Sequence, residues 1–140
     1  MRMALAAATL GVALLTACGG PKPPLEIEDA WLRATPPGAS VTAGYASLHN
    51  PGDTARTIRG ARSPAAGMVM IHTVSDEDGM MRMRAAGDLT IAPGESRRLE
   101  PGSTHLMLMD LNQPLVAGET WEVTWILADG QQIESRMQVR

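Results

Sequence analysis

Turn-forming residues divide this chain into short segments over most of its length. No window between these turns sustains the period of an amphipathic helix, whereas short apolar runs at regular spacing are typical of a β-sandwich or barrel. The turns contain residues whose backbone preferences suit sharp reversals: Pro36-Pro37-Gly38, Asn50-Pro51-Gly52-Asp53, Pro93-Gly94, Pro101-Gly102 and Asp129-Gly130. We therefore predict an all-β fold, either a β-barrel or a β-sandwich.

Nine strands are predicted between the turns, and Asp129-Gly130 is predicted to join the last two as a hairpin. They cover residues 26–34, 42–49, 54–61, 67–74, 80–84, 96–99, 106–111, 120–128 and 132–139. Trp121, Val123 and Trp125 fall on one face of the eighth strand, where we expect them to pack in the core together with Trp31. Residues 25–140 are expected to form one domain around a single core.

An export leader is predicted at the amino terminus. Met1-Arg2-Met3 precedes an apolar run ending at Leu15, and this is the pattern of a signal peptide. About a dozen apolar residues are too few to span a bilayer. Leu15-Thr16-Ala17-Cys18 resembles a lipobox, so residues 1–17 are expected to be removed and Cys18 to carry lipid; cleavage near Ala17 without lipidation is the alternative. Residues 18–24 would then be a Pro/Gly-rich tether.

The single cysteine and the charge balance exclude several classes of protein. Cys18 has no partner for an intrachain disulfide, and once lipidated it cannot supply the thiolate that a blue-copper redox centre requires. A formal net charge of −3, without a basic stripe or stacking aromatic residues, argues against a nucleic-acid partner. The sequence contains neither a G-x-S-x-G nor an H-E-x-x-H motif, so we do not predict an enzyme.

Soft metal-ligating side chains are concentrated between residues 68 and 109. This stretch holds seven of the ten methionines and two of the three histidines, His72 and His105. Thioethers are soft, weak ligands that suit Cu(I), whereas Mg²⁺, Ca²⁺ and Mn²⁺ prefer oxygen. A mixture of imidazole and thioether donors therefore favours Cu(I). The third histidine, His49, precedes a turn without a soft donor nearby and is left out of the site.

At both ends of this stretch, Met or His residues alternate with aliphatic residues. Residues two apart on a strand point to the same face of a sheet. One face is apolar and is predicted to lie in the core: Val69, Ile71, Leu106 and Leu108. The other is predicted to face outward and to bring the metal donors together: Met68, Met70, His72, His105, Met107 and Met109. Methionine also fills cores. In a chain without phenylalanine, Met68, Met70 and Met80 are the candidates for packing instead of ligation.

Four of these residues stand at a fixed long spacing. Ten residues separate His72 from Met83, twenty-one separate Met83 from His105, and one separates His105 from Met107. This H-x10-M-x21-H-x-M pattern, with the segments 78–84 and 101–109 around it, resembles the periplasmic copper chaperones of the PCu(A)C family over about residues 27–139. The resemblance implies a cupredoxin-like Greek-key β-barrel that holds one Cu(I) through those four side chains. Whether Met81 or Met109 assists as an auxiliary ligand stays open.

The resemblance also implies a role for the chain. It would carry Cu(I) outside the cytoplasm to a copper-accepting protein, in this family the CuA site of cytochrome c oxidase during its assembly. With lipid on Cys18, the protein would be a monomer anchored to the bacterial membrane, its domain facing the periplasm or the cell exterior. The alternative is a copper-independent, lipid-anchored β-sandwich adaptor that serves as a protein interaction module.

Overall fold

The structure, a computed structural model, describes residues 21–140, so the predicted signal peptide and Cys18 lie outside the described residues. Ten strands make up the regular structure of this part of the chain. They are β1 (Glu26–Leu32), β2 (Val41–His49), β3 (Arg56–Arg62), β4 (Ala66–Glu77), β5 (Met80–Ala85), β6 (Leu89–Ile91), β7 (Ser96–Leu99), β8 (His105–Leu111), β9 (Thr120–Leu127) and β10 (Gln132–Val139). The all-β prediction is confirmed. Within residues 21–140 no helix has the length and apolar character needed to cross a membrane.

Seven of the strands close into a barrel. Hydrogen-bonded neighbours follow the order β4, β8, β2, β1, β10, β9 and β3, and Ala61 of β3 pairs with Val69 of β4 to complete the ring. β1 runs parallel to β10, whereas the other pairs around the ring are antiparallel. The remaining strands extend the sheet outside the ring: β5 pairs with β4, β6 with β3, and β7 with β2.

The core lies inside the barrel and is filled by the side chains that point inward from the strands. Both strands that carry the predicted histidines bury the apolar set predicted from the sequence: Val69, Ile71, Leu106 and Leu108. β9 contributes Val123 and Trp125, both fully buried, as predicted. Trp121 is only partly buried and packs against the edge of the core, and Trp31 lies outside it and packs on Tyr45 of β2. Those two tryptophans are therefore less central than predicted.

Most of the predicted strands are present, and the structure contains one strand that was not predicted. Leu89–Ile91 forms β6, which pairs with β3 and was not predicted, because two apolar residues around one threonine carry too little periodicity to be recognised. The strand predicted at residues 67–74 continues to Glu77. The hairpin predicted at Asp129-Gly130 joins β9 to β10, and the Gly130 N–H donates a hydrogen bond to the Leu127 carbonyl.

A hairpin made of β4 and β5 extends beyond the barrel. β8 pairs with β4 as far as His72, and the following residues of β4 pair with β5 alone. Asp78 and Gly79 form the turn with φ angles of 55° and 80°, the left-handed conformation that Asp-Gly adopts in tight hairpins. Asp76 fastens the turn by accepting a hydrogen bond of 2.8 Å from the Gly79 N–H. The hairpin therefore projects from the side of the barrel that carries the histidines.

Candidate metal centre

The two histidines predicted as ligands lie opposite each other on neighbouring strands. His72 of β4 pairs with His105 of β8, so both side chains project from the same outer face of the barrel. Their ring centroids are 6.1 Å apart, with the rings inclined at 62°. A metal ion held by one nitrogen from each ring requires a separation of this order, because metal–nitrogen bonds are about 2 Å long. The pair therefore has the spacing of a metal site.

His105 is held in one orientation by the backbone before it. Its Nδ1 lies 2.9 Å from the Ser103 carbonyl oxygen, and since a carbonyl only accepts, Nδ1 carries the proton and donates. That tautomer leaves Nε2 with a free lone pair, which is the arrangement common in metal-ligating histidines. His105 is only 4% exposed, because Tyr45 of β2 lies beside it, with 6.4 Å between ring centroids. The outward direction predicted for His105 is right, but the side chain is covered.

His72 has a ring nitrogen that its surroundings leave unsatisfied. Among the described residues, nothing hydrogen-bonds to its buried Nδ1. Partial burial lowers the pKa of His72 below the ordinary value of 6.5, and neighbouring His105 lowers it further. The imidazole is therefore neutral at pH 7 and able to ligate a metal. A buried nitrogen without a partner costs free energy, and a metal ion would supply the missing interaction.

The two methionines predicted as ligands reach the histidines from different directions. Met107 lies two residues from His105 on β8, on the same face. Met83 lies on β5 opposite Val74, so the hairpin brings it next to the position of His72 on the outer face. Met83 is 52% exposed, whereas Met107 is partly buried. The structure thus gathers all four predicted residues on one surface.

A cavity of 410 Å³ opens beside this surface. Three of the four predicted ligands line it, namely Met83, His105 and Met107, and His72 stands next to His105 just outside the lining. Most of the other walls come from β2 and from the loop between β1 and β2, and include Arg33 of the loop and Tyr45 of β2. Neither of these two residues was predicted, because their place beside the histidines depends on the pairing of β2 with β8, which sequence alternation does not reveal.

The candidate auxiliary ligands lie farther from the histidines. Met81 pairs with Asp76 near the tip of the hairpin, beyond Met83. Met109 pairs with Met68, four residues along β8 from His105. Ligation by either stays a prediction.

Two methionines that were candidates for core packing are exposed. Met68 and Met80 both present half or more of their surface to solvent. Among residues 21–140 the buried methionine is instead Met137 of β10, which packs in the barrel core. Met70 is partly buried on the outer face, opposite Met107. Packing in the barrel therefore does not account for the methionines of β4 and β5.

Carboxylate and cysteine ligands do not assemble in the part of the chain that the structure describes. No group of three side chains among His, Cys, Asp and Glu comes close enough to hold a metal there. Glu77, an acidic residue of β4, is engaged within the hairpin, since it forms ion pairs with Arg82 at 3.3 Å and with Arg84 at 2.8 Å. His49, which the sequence excluded from the site, instead bonds to the Ser96 hydroxyl at 2.9 Å. The soft donors that share a surface with the His72–His105 pair are the thioethers of Met83 and Met107.

The sequence of the chain identifies its family. Residues 25–139 match the family described as "Putative lipoprotein LpqE-like". The chain belongs to the LpqE-like lipoprotein family. A curated relative, "Putative lipoprotein Lxx21020" of Leifsonia xyli subsp. xyli, is 33% identical over 107 residues. The match covers 76% of this LpqE-like chain and 63% of that relative, so the chain spans less than two thirds of the relative's length.

Solved structures similar to this LpqE-like chain include PCuAC domains. The solution structure of apo-DR1885 from Deinococcus radiodurans is 29% identical, with a TM-score of 0.65, and the match covers 100% of this chain and 96% of that one. The CuI form of DR1885 has a TM-score of 0.57 at 29% identity, covering 81% and 78%. The apo PCuAC domain from PmoF1, at 23% identity and 84% and 94% coverage, has a TM-score of 0.70 and shows the fold alone. The PCu(A)C resemblance and the cupredoxin-like fold are confirmed.

Proposed function

We propose that the protein is a copper carrier, which binds one Cu(I) through His72, Met83, His105 and Met107 and releases it to a copper-accepting protein. The observation that carries this proposal is the opposed histidine pair, in which a buried His72 nitrogen lacks a partner among the described residues and His105 is held with Nε2 free. Two imidazole nitrogens and two thioether sulfurs satisfy tetrahedral Cu(I) without a thiolate. Zinc would instead be expected with Cys, His or carboxylate ligands.

Release of the metal follows from the unequal exposure of the ligands. Met83 lies on a strand whose residues are all exposed, whereas His105 is buried in the wall of the barrel. Thioethers bind weakly, so the ligands of a recipient can replace Met83 first while His105 still holds the ion. This arrangement suits a carrier better than a permanent metal site.

The proposed setting is outside the cytoplasm, where a lipid on Cys18 would anchor a monomeric domain to the membrane. The proposed recipient is a subunit of cytochrome c oxidase, at its CuA site. Support for copper as the cargo comes from the CuI form of DR1885, a solved protein with 29% identity to this chain.

Competition for Cu(I) between the full-length chain and a chromogenic chelator tests the proposal. We expect the wild-type protein to withdraw one equivalent of Cu(I) and the His72→Ala/His105→Ala variant to withdraw none with high affinity. Met83→Ala should lose affinity in a graded way, because three ligands remain. His49→Ala is the matched control, since His49 is a partly exposed histidine bonded to Ser96 and should leave binding unchanged.

Two results would overturn this function. Full Cu(I) affinity in the double histidine variant would show that the ion is held elsewhere. Failure of the wild-type protein to compete at all would favour the copper-independent adaptor.

A further inference from the structure

A second group of soft donors lies on the same outer face as the histidines. The pairing of β4 with β8 places Met68 opposite Met109 and Met70 opposite Met107, in rungs that continue directly from the His72–His105 rung. We call Met68, Met70 and Met109 the outer methionine cluster. Met107 stands between this cluster and His105.

The spacing of the cluster allows its sulfurs to meet. Side chains directly opposite on antiparallel strands have Cβ atoms about 4.5–5.5 Å apart, and residues two apart on one strand are about 7 Å apart. A methionine side chain has three rotatable bonds, so thioethers at three neighbouring positions of such a grid can turn towards one point. Three thioethers are a donor set for which Cu(I) is the suited metal.

Core packing does not explain these three side chains. Their neighbours in sequence, Val69 and Leu108, fill the barrel interior, whereas Met68 is 50% exposed and Met70 and Met109 are partly exposed. The 410 Å³ cavity beside the histidines reaches Met107 but none of the three. The cluster therefore lies outside that cavity, and it borders the first site where Met70 lies opposite Met107.

We propose that Met68, Met70 and Met109 form a second Cu(I) site, weaker than the histidine site and adjacent to Met107, which lies opposite Met70 and two residues from Met109. It uses none of the four ligands assigned to the first site. Copper held there lies next to Met107, which gives the carrier a position for a second ion.

The test is a titration of the full-length chain in detergent, labelled with ¹³C at the methionine methyl groups, with Ag(I) as a redox-inert probe of Cu(I) sites. The first equivalent should shift the methyl resonances of Met83 and Met107. The second should shift those of Met68, Met70 and Met109 before those of Met80 and Met81, which are exposed methionines of β5 outside the cluster.

Conservative variants separate ligation from an apolar docking surface. Met68→Leu/Met109→Leu keeps the apolar surface and removes two sulfurs, so we expect bound metal to fall from two equivalents to one. Met80→Leu/Met81→Leu is the matched control and should retain both equivalents. In the His72→Ala/His105→Ala variant the cluster methyls should still shift, so failure of the first site and failure of the second are distinguishable.

The proposal is overturned if the second equivalent leaves the three cluster methyls unshifted. It is also overturned if Met68→Leu/Met109→Leu binds as much metal as the wild-type protein. Shifts of Met80 and Met81 at or before those of the cluster would mean that exposed thioethers bind silver without a built site, which likewise rejects it.

Discussion

The chemistry of the candidate centre depends on the protonation of two imidazoles that face each other. The Nδ1 of His105 donates a hydrogen bond to the Ser103 carbonyl. The Nδ1 of His72 is buried and has no hydrogen-bond partner among the described residues. Two protonated rings at this distance would repel, which is one reason why the pKa of His72 is lowered. The neutral ring of His72 is thus available to bind a cation other than a proton.

This lowered pKa predicts how binding depends on pH. Protons compete with Cu(I) for a neutral imidazole, and burial together with His105 shifts the protonation of His72 to a pH below the ordinary 6.5. We therefore expect proton competition at His72 to affect Cu(I) affinity little from pH 8 to about 6.5 and to lower it only below that. Competition titrations over this range, with the His72 ring followed by NMR, check the order of events. Loss of affinity beginning well above pH 6.5 would contradict the lowered pKa.

The lowered pKa of His72 should also make the stability of the apo protein depend on pH. In the window between 6.5 and the lower pKa of the folded state, the unfolded chain takes up a proton at His72 and the folded chain does not. The stability contributed by the neutral ring is therefore complete above that window and is lost as the pH falls through it. Chemical denaturation at several pH values should show this loss in the wild-type protein and a smaller one in His72→Ala.

The sequence predicted which residues belong to the candidate site better than it predicted the surroundings of those residues. The spacing of His72, Met83, His105 and Met107 was recognisable, and the structure brings these residues to one surface. The burial of His105 was not predictable, because Tyr45 comes from a strand sixty residues away in sequence. For Met68 and Met80 the sequence left packing and exposure open, since methionine suits a core and a surface site equally well.

At the scale of the strands, alternation decides which side chains face the barrel and which face the metal. The prediction of Leu106 and Leu108 as core residues rested on period two alone, and both are fully buried. β6 escaped prediction because it is three residues long. The length of β4 matters most for the site, since its continuation past His72 forms the hairpin with β5 that carries Met83.

Alternation along β8 predicts unequal effects for two adjacent substitutions. Leu108→Ala should lower the free energy of unfolding of the apo protein by about 2–5 kcal/mol, because it opens a cavity in a closed core. Met107→Ala, on the outer face, should lower it far less. Denaturant unfolding of both variants without metal is the measurement. Equal losses would show that Met107 supports the barrel rather than the site.

At the scale of the whole molecule, the all-β class followed from the turns, but the closure of the barrel did not. The ring is completed by one short pairing between Ala61 and Val69 and by the parallel contact of β1 with β10. Both join segments whose alternation says nothing about their partners. The register between β4 and β8, which pairs the histidines, is non-local in the same way.

The membrane anchor is a property of the whole molecule that the sequence predicts. If Cys18 is lipidated, the native protein should partition with membranes, and Cys18→Ser should release or mislocalise it. Stable anchoring takes more than one acyl chain, so several chains are expected on this residue. Mass spectrometry of the amino-terminal peptide from membrane-derived protein is the check. An unmodified Cys18 in that fraction would refute the lipobox assignment.

The most direct test of the copper site is X-ray absorption at the copper edge on the full-length chain loaded with less than one equivalent of Cu(I). We expect a first shell of two nitrogens and two sulfurs, from His72, His105, Met83 and Met107. In the Met83→Leu/Met107→Leu variant the sulfur count per copper should fall at the same loading. A wild-type shell of nitrogen and oxygen alone, or an unchanged sulfur count in that variant, would contradict the four-residue Cu(I) site.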